Sequence, residues 1–257
     1  MTALTGVDTR LRMARLYLCT DTRAEQGDFA DFAAEVFAGG VDVLQVREKG
    51  LDPERELEVL QQARRAAAPH QALVSVNDDP VLAGRFAADV LHLGQTDAPP
   101  AEARRHLHRW ARIGRSTHTP EQMRAADADP EVDYFCVGPV WATPTKPDYV
   151  PAGLDLVRAA AVQAPPHDPA SKPWFAIGGI DQTNLEDVLV AGARRVVVVR
   201  AITRADDPRA AAHALKSRLN QAWRDDPAMT ASGLVLKGSA RPLGGHRAGA
   251  GHERRGG

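Results

Sequence analysis

Two cysteines in 257 residues give no disulfide framework. Cys19 and Cys136 lie far apart within apolar, strand-like runs, as two buried thiols of a reducing compartment would. No apolar run approaches the length of a membrane span. The N-terminal stretch MTALTGVDTRLRMARLYL carries an acidic residue and lacks an apolar centre, so no secretory signal is read and a cytoplasmic location is expected. Charge of one sign is missing too: 32 basic against 33 acidic residues give a formal net charge of −1. No global field favours nucleic acid or a membrane surface, so neither is expected as a partner and any anion must be bound locally. Zinc and nucleophile signatures are absent, with no H-E-x-x-H, no C-x-x-C and no G-x-S-x-G. His106 and His108 stand two apart on a presumed helix and share no face.

What is present is a repeat of short β runs, each followed by a candidate helix. The runs are Arg15–Thr20, Val41–Val46, Ala72–Asn77, Asp89–Leu93, Arg112–Ser116, Asp133–Val137, Trp174–Ile177 and Arg195–Val199. Asp52-Pro53, Asp79-Pro80, Thr119-Pro120 and Asp207-Pro208 each put an N-cap oxygen before a proline at the first helical position. Gln122, three residues after Thr119, has the spacing of a capping box. Strands separated by helices imply parallel pairing through right-handed crossovers. Eight such units predict an α/β fold, a single-domain (β/α)8 TIM barrel over 15–225. A doubly wound open sheet is the alternative, but no G-x-G-x-x-G turn follows the first strand. Residues 1–14 read as an N-terminal extension and 163–173 as a surface connection. Residues 226–257, rich in Gly and Arg, read as a disordered tail.

In VDVLQVREKG a buried strand ends by aiming Gln45, Arg47 and Lys49 to one side, since side chains alternate faces. Such charges are either solvated or converge on an anion. A barrel of this kind carries its active site at the C-terminal ends of its strands, and unusual polar residues do collect there. Asn77 and Asp78 end the third strand, Gly94, Gln95 and Asp97 the fourth, and Ser116, Thr117 and His118 the fifth. Thr143, Thr145 and Lys146 follow the sixth, in a loop that Pro144 and Pro147 stiffen. Gly178 and Gly179 follow the seventh, and Val199 and Arg200 the eighth. Asp79 and Thr119 are accounted for as caps; Asp78, Asp97 and Ser116 are not. Two carboxylates on adjacent strand ends suit Mg2+, which takes one or two carboxylates plus phosphate oxygens. The alternative is that each only bonds loop amides. The Gly-Gly pair allows a backbone phosphate cradle, and an ordinary tight turn explains it as well. His118 is read as a hydrogen-bonding residue.

The strings LYLCTD, VLQVREK, VND, LHLGQTD, GRSTHT, VGPVWATPTK and AIGGI, in this order from residue 16 to about 202, resemble the thiamine-phosphate synthase family. The resemblance implies a transferase that joins hydroxymethylpyrimidine diphosphate to a (carboxy)thiazole phosphate, giving thiamine phosphate and pyrophosphate. It implies Gln45, Val46, Arg47, Glu48, Lys49, Asn77, Ser116 and Lys146 around the pyrimidine diphosphate, with Arg47, Lys49 and Lys146 as the catalytic cations. It implies Mg2+ on Asp78 and Asp97. Thr143, Thr145, Gly178, Gly179, Val199 and Arg200 would hold the thiazole phosphate. The family often has a small hydroxyl residue where Arg200 stands, so a contact from its side chain stays open. Small phosphate substrates are the expected partners, and a homo-oligomer stays open. Two rivals are a thiazole tautomerase-like isomerase on the same barrel and a non-catalytic phosphate-binding barrel.

Overall fold

The computed structural model describes residues 6–143 and 150–231. Eight strands close into one parallel barrel in chain order, with the last paired to the first. They are β1 (Leu16–Thr20), β2 (Val43–Val46), β3 (Leu73–Asn77), β4 (Val90–Leu93), β5 (Arg112–Thr117), β6 (Tyr134–Val137), β7 (Trp174–Ile177) and β8 (Val196–Val198). The eight runs read from the sequence are these strands, each within three residues at either end.

Helix α1 (Val7–Met13) precedes the barrel. Then come α2 (Phe29–Ala38), α3 (Pro53–Ala67), α4 (Pro80–Phe86), α5 (Pro100–Ala103) and α6 (Pro120–Ala128). They are followed by α7 (Gly153–Gln163), α8 (Leu185–Val190), α9 (Arg200–Thr203), α10 (Pro208–Asp225) and α11 (Pro227–Ala231). The four Asp/Thr-Pro starts are real caps. Asp52 accepts from the amides of Glu54 and Arg55, Asp79 from Val81 and Leu82, Thr119 from Gln122, and Asp207 from Ala210. The Gln122 side chain differs from a standard capping box: its Oε1 takes the N–H of His118, one residue before the cap, at 2.7 Å.

The strand pleat divides the apolar residues into two cores. Leu16, Leu18, Leu44, Val46, Val76 and Leu91 face outward and pack with the helices. Tyr17, Cys19, Val43, Tyr134, Cys136 and Phe175 fill the barrel interior. Both cysteines are buried and form no disulfide. Gly114 on β5 makes room for Tyr134: a Cβ there would stand 2.1 Å from the Tyr134 ring.

Two boundaries differ from expectation. Residues 6–14, within the stretch read as an N-terminal extension, pack on the domain: Leu11 and Ala14 are buried against the base of the barrel interior. Arg10 there donates to Ala72 O and pairs with Asp89. At the other end packing continues past 225. Asp226 takes the Arg194 guanidinium at 2.7 and 3.0 Å, and Met229 is buried. A lone Met and one Asp in a polar run give the sequence too little signal to mark this docking. The rest of the expected tail, 232–257, lies outside the described residues. Within the 163–173 connection, Pro169 O and Ser171 O accept from Arg12, and Lys172 donates to Ala126 O and Asp129 O.

Candidate active site

A cavity of about 550 Å3 opens at the C-terminal ends of the strands. Gln45, Arg47, Lys49, Asn77, Asp78, Asp97 and Ser116 line it, together with Thr143, Gly178, Gly179, Val199 and Arg200. Their convergence follows from the barrel: every parallel strand delivers its C-terminal residues to the same mouth. Thr145 and Lys146 lie outside the described residues.

Two expected residues do not line the cavity. Val46 is fully buried in the outer core, where the β2 pleat sends it between barrel and helices. Glu48 turns outward as well, and its Oε2 accepts from Thr22 Oγ1 at 2.5 Å and from Thr22 N at 3.0 Å. Alternation that aims Gln45, Arg47 and Lys49 inward necessarily aims these two away.

On the acidic side, the Asp78 carboxyl hydrogen-bonds to Asp97 and is raised to about 6, by burial first and then by that neighbour. Asp78 stands at φ +62°, a left-handed turn that Asp tolerates better than most residues. Asp97 Oδ2 accepts from Gly94 N at 2.5 Å. Its loop is also held by Gln95, whose Nε2 donates to Ser116 O at 2.5 Å. Glu56 on α3 adds to this electronegative edge, raised to about 7 by burial and then by Asp79, Asp78 and Glu48. Among the described residues no set of three or more His, Cys, Asp or Glu is arranged to hold a metal. Two carboxylates at close quarters suit a hard cation whose other positions go to water and phosphate oxygens.

Inside the mouth runs a buried polar chain that the sequence reading missed. Cys19 Sγ donates to Gln45 Oε1, and Gln45 Nε2 donates to Tyr17 OH at 3.0 Å. Tyr17 OH lies 3.3 Å from Tyr134 OH, which lies 3.0 Å from His92 Nδ1. His92 Nε2 is 2.9 Å from Ser116 Oγ. Gln45 and Ser116, from opposite walls, are thus oriented by one network of buried groups. Tyr17 and Tyr134 are held well above the usual phenol range by burial first, so both stay neutral O–H groups. A signal existed: Tyr17, His92 and Tyr134 sit at interior-facing positions of buried, mostly apolar strands. His118 Nδ1 lies 2.6 Å from Gly138 O, a hydrogen-bonding role as expected.

On the far wall, Gly178 and Gly179 adopt φ +105° and +69°. A Cβ on Gly178 would stand 2.5 Å from Pro139, so the β6–α7 segment can approach only because this residue has none. Arg200 opens α9 at the rim and is exposed.

A closed parallel barrel with cations, paired carboxylates and an open glycine turn around one mouth defines a (β/α)8 enzyme acting on small phosphorylated compounds. The chain belongs to the thiamine monophosphate synthase family, whose profile matches residues 16–202. It is 56% identical over 210 residues to the thiamine-phosphate synthase of Thermobifida fusca (strain YX), covering 82% of this chain and 94% of that one. It is 54% identical over 222 residues to the protein of that name from Mycolicibacterium smegmatis, covering 83% and 95%. Among solved structures it is similar to thiamine phosphate pyrophosphorylase from Pyrococcus furiosus, with 26% identity, a TM-score of 0.70, and coverage of 84% of this chain and 99% of that one. A 3-hexulose-6-phosphate synthase shares the fold at 20% identity and a TM-score of 0.55.

Proposed function

We propose that this chain is a transferase of the thiamine-phosphate synthase type. It joins hydroxymethylpyrimidine diphosphate to a (carboxy)thiazole phosphate and releases pyrophosphate. The observation that carries the reading is that Arg47 and Lys49 share one mouth with the Asp78–Asp97 pair and, across it, with Gly178, Gly179 and Arg200. A single-phosphate isomerase has no use for the first group, and a binding barrel has no use for both.

The pyrimidine ring can stabilise a methylene cation, so the C–O bond to diphosphate breaks before the new C–N bond forms. The chemical demand is then negative charge developing on the leaving pyrophosphate. Arg47 and Lys49 meet it as charges preorganised in a partly enclosed site. Asp78 and Asp97 would hold Mg2+, which when bound supplies further neutralisation of the diphosphate. Gln45 and Ser116, fixed by their buried network, orient the pyrimidine. Thr143 with the backbone at Gly178, Gly179 and Val199 holds the thiazole phosphate, and the Arg200 side chain adds charge there. Holding the thiazole nitrogen against the reacting carbon supplies effective molarities of roughly 10⁵ M or more. No general base is needed.

The test is pyrophosphate release with both substrates present, with and without Mg2+. The synthase releases pyrophosphate only when both substrates and the ion are supplied. Isomerisation of the thiazole phosphate without release would favour the tautomerase, and binding without turnover would favour the non-catalytic barrel.

A further inference from the structure

Glu48 is the acid between two cations, and it faces away from the cavity that Arg47 and Lys49 line. A single oxygen, Oε2, takes both the hydroxyl and the backbone N–H of Thr22. Those two bonds hold the Glu48 carboxyl below the usual range, so it is ionised at neutral pH. The Arg47 N–H donates to Thr20 O at 2.8 Å. Together the three bonds fasten the chain leaving β2 to the chain leaving β1, at a point where Thr22 is buried. Beyond Glu48 the chain turns through Gly50 at φ +74° and regains regular structure at Pro53. Arg47 and Lys49, like charges two residues apart on one face, repel each other. Such a segment needs an external tie to keep both cations turned inward.

We propose that Glu48 is a positioning residue: it holds Arg47 and Lys49 toward the leaving diphosphate by gripping Thr22, and it does not itself touch substrate. The inference rests on reading the cationic rim as the pyrophosphate site. Two physical effects of removing Glu48 have opposite signs, which makes the proposal decidable. Coulomb's law alone says that losing a nearby negative charge tightens an anion. Loss of the tie says the anion is held less well, because charge that must be reorganised stabilises less than charge already in place.

The experiment is calorimetric binding of inorganic pyrophosphate with Mg2+ to five proteins, wild type and four variants, alongside amide hydrogen exchange over residues 47–50. Glu48→Ala is expected to weaken pyrophosphate on the order of ten-fold, as loss of a charge-assisted bond pair would. Glu48→Gln keeps an acceptor oxygen for Thr22 without the charge and is expected to stay within about two-fold of wild type. Thr22→Val removes the hydroxyl and is expected to weaken binding several-fold, while adding little in the double variant with Glu48→Ala. Unchanged or tighter binding in Glu48→Ala overturns the proposal. So does a Thr22→Val variant that binds like wild type while Glu48→Ala does not, since Glu48 would then act directly. If wild type binds no pyrophosphate, the reading of the rim falls instead. Faster exchange over 47–50 in Glu48→Ala but not in Glu48→Gln would still support the tie, and equal exchange would overturn it.

Discussion

The carboxyl of Asp78 hydrogen-bonds to that of Asp97 and so joins the ends of β3 and β4 inside the cavity mouth. Two acids in such contact disfavour each other's charge, and a divalent cation between them relieves that. Asp97→Asn is therefore expected to abolish the response to Mg2+ and to cost more than the roughly 10–100-fold lost when an outer partner of a metal site is removed. Titration with Mg2+ after chelator treatment checks this. An active variant with a normal Mg2+ curve would remove Asp97 from the metal site.

Arg47→Ala should lower turnover by on the order of 10²–10³ with the fold intact, the range for losing one preorganised donor to developing charge. Arg47→Lys should recover only part of this, because an ammonium keeps the charge but not the planar fork. Steady-state pyrophosphate release measures both. Near wild-type turnover in the alanine variant would take Arg47 out of the leaving-group role.

The hydroxyl of Tyr134 stands between Tyr17 and His92 in the buried network. Tyr134→Phe strips both neighbours of a partner in a space closed to water. The expected cost is about 1–3 kcal/mol of stability, the penalty for a buried polar group left unpaired. Urea unfolding gives the number. KM for the pyrimidine substrate should rise with it, since His92, the partner of Ser116, loses the hydroxyl that anchored its other ring nitrogen.

Gly114→Ala should be among the most damaging single methyl additions. Its Cβ would stand 2.1 Å from Cζ and 2.3 Å from Cε1 of fully buried Tyr134. Overpacking costs about 1–3 kcal/mol and more where nothing can yield. Gly6→Ala, with nothing within 4 Å, serves as the neutral control in thermal unfolding.

Asp226 tests where the domain ends. Burial alone would raise its carboxyl, but the Arg194 side chain and the amides of Ala228 and Met229 outweigh that and hold it below the usual range. A depressed folded pKa contributes stability above the unfolded value near 4, lost as pH falls through the folded value. Asp226→Asn should thus cost about 1 kcal/mol at neutral pH, with the gap to wild type closing toward pH 3. A gap that persists unchanged at low pH would show that packing, not charge, fastens the end of α10.

The sequence by itself determined the barrel, its eight strands and most of the mouth. Apolar runs, Asp-Pro and Thr-Pro caps and alternation along a strand are local properties, written in neighbouring residues. That is why Gln45, Arg47 and Lys49 could be assigned one face. The structure turns Val46 and Glu48, which the family resemblance had grouped with them, away from the cavity. Only tertiary structure decided what crosses the barrel. The chain Cys19–Gln45–Tyr17–Tyr134–His92–Ser116 joins five strands, and no spacing along the sequence encodes which interior side chains meet there. Nor could it reveal that α1 closes the base, that Asp226 reaches Arg194, or that Glu48 grips Thr22. Each of those depends on ring closure, which sets distant residues at hydrogen-bond range by geometry rather than by sequence separation.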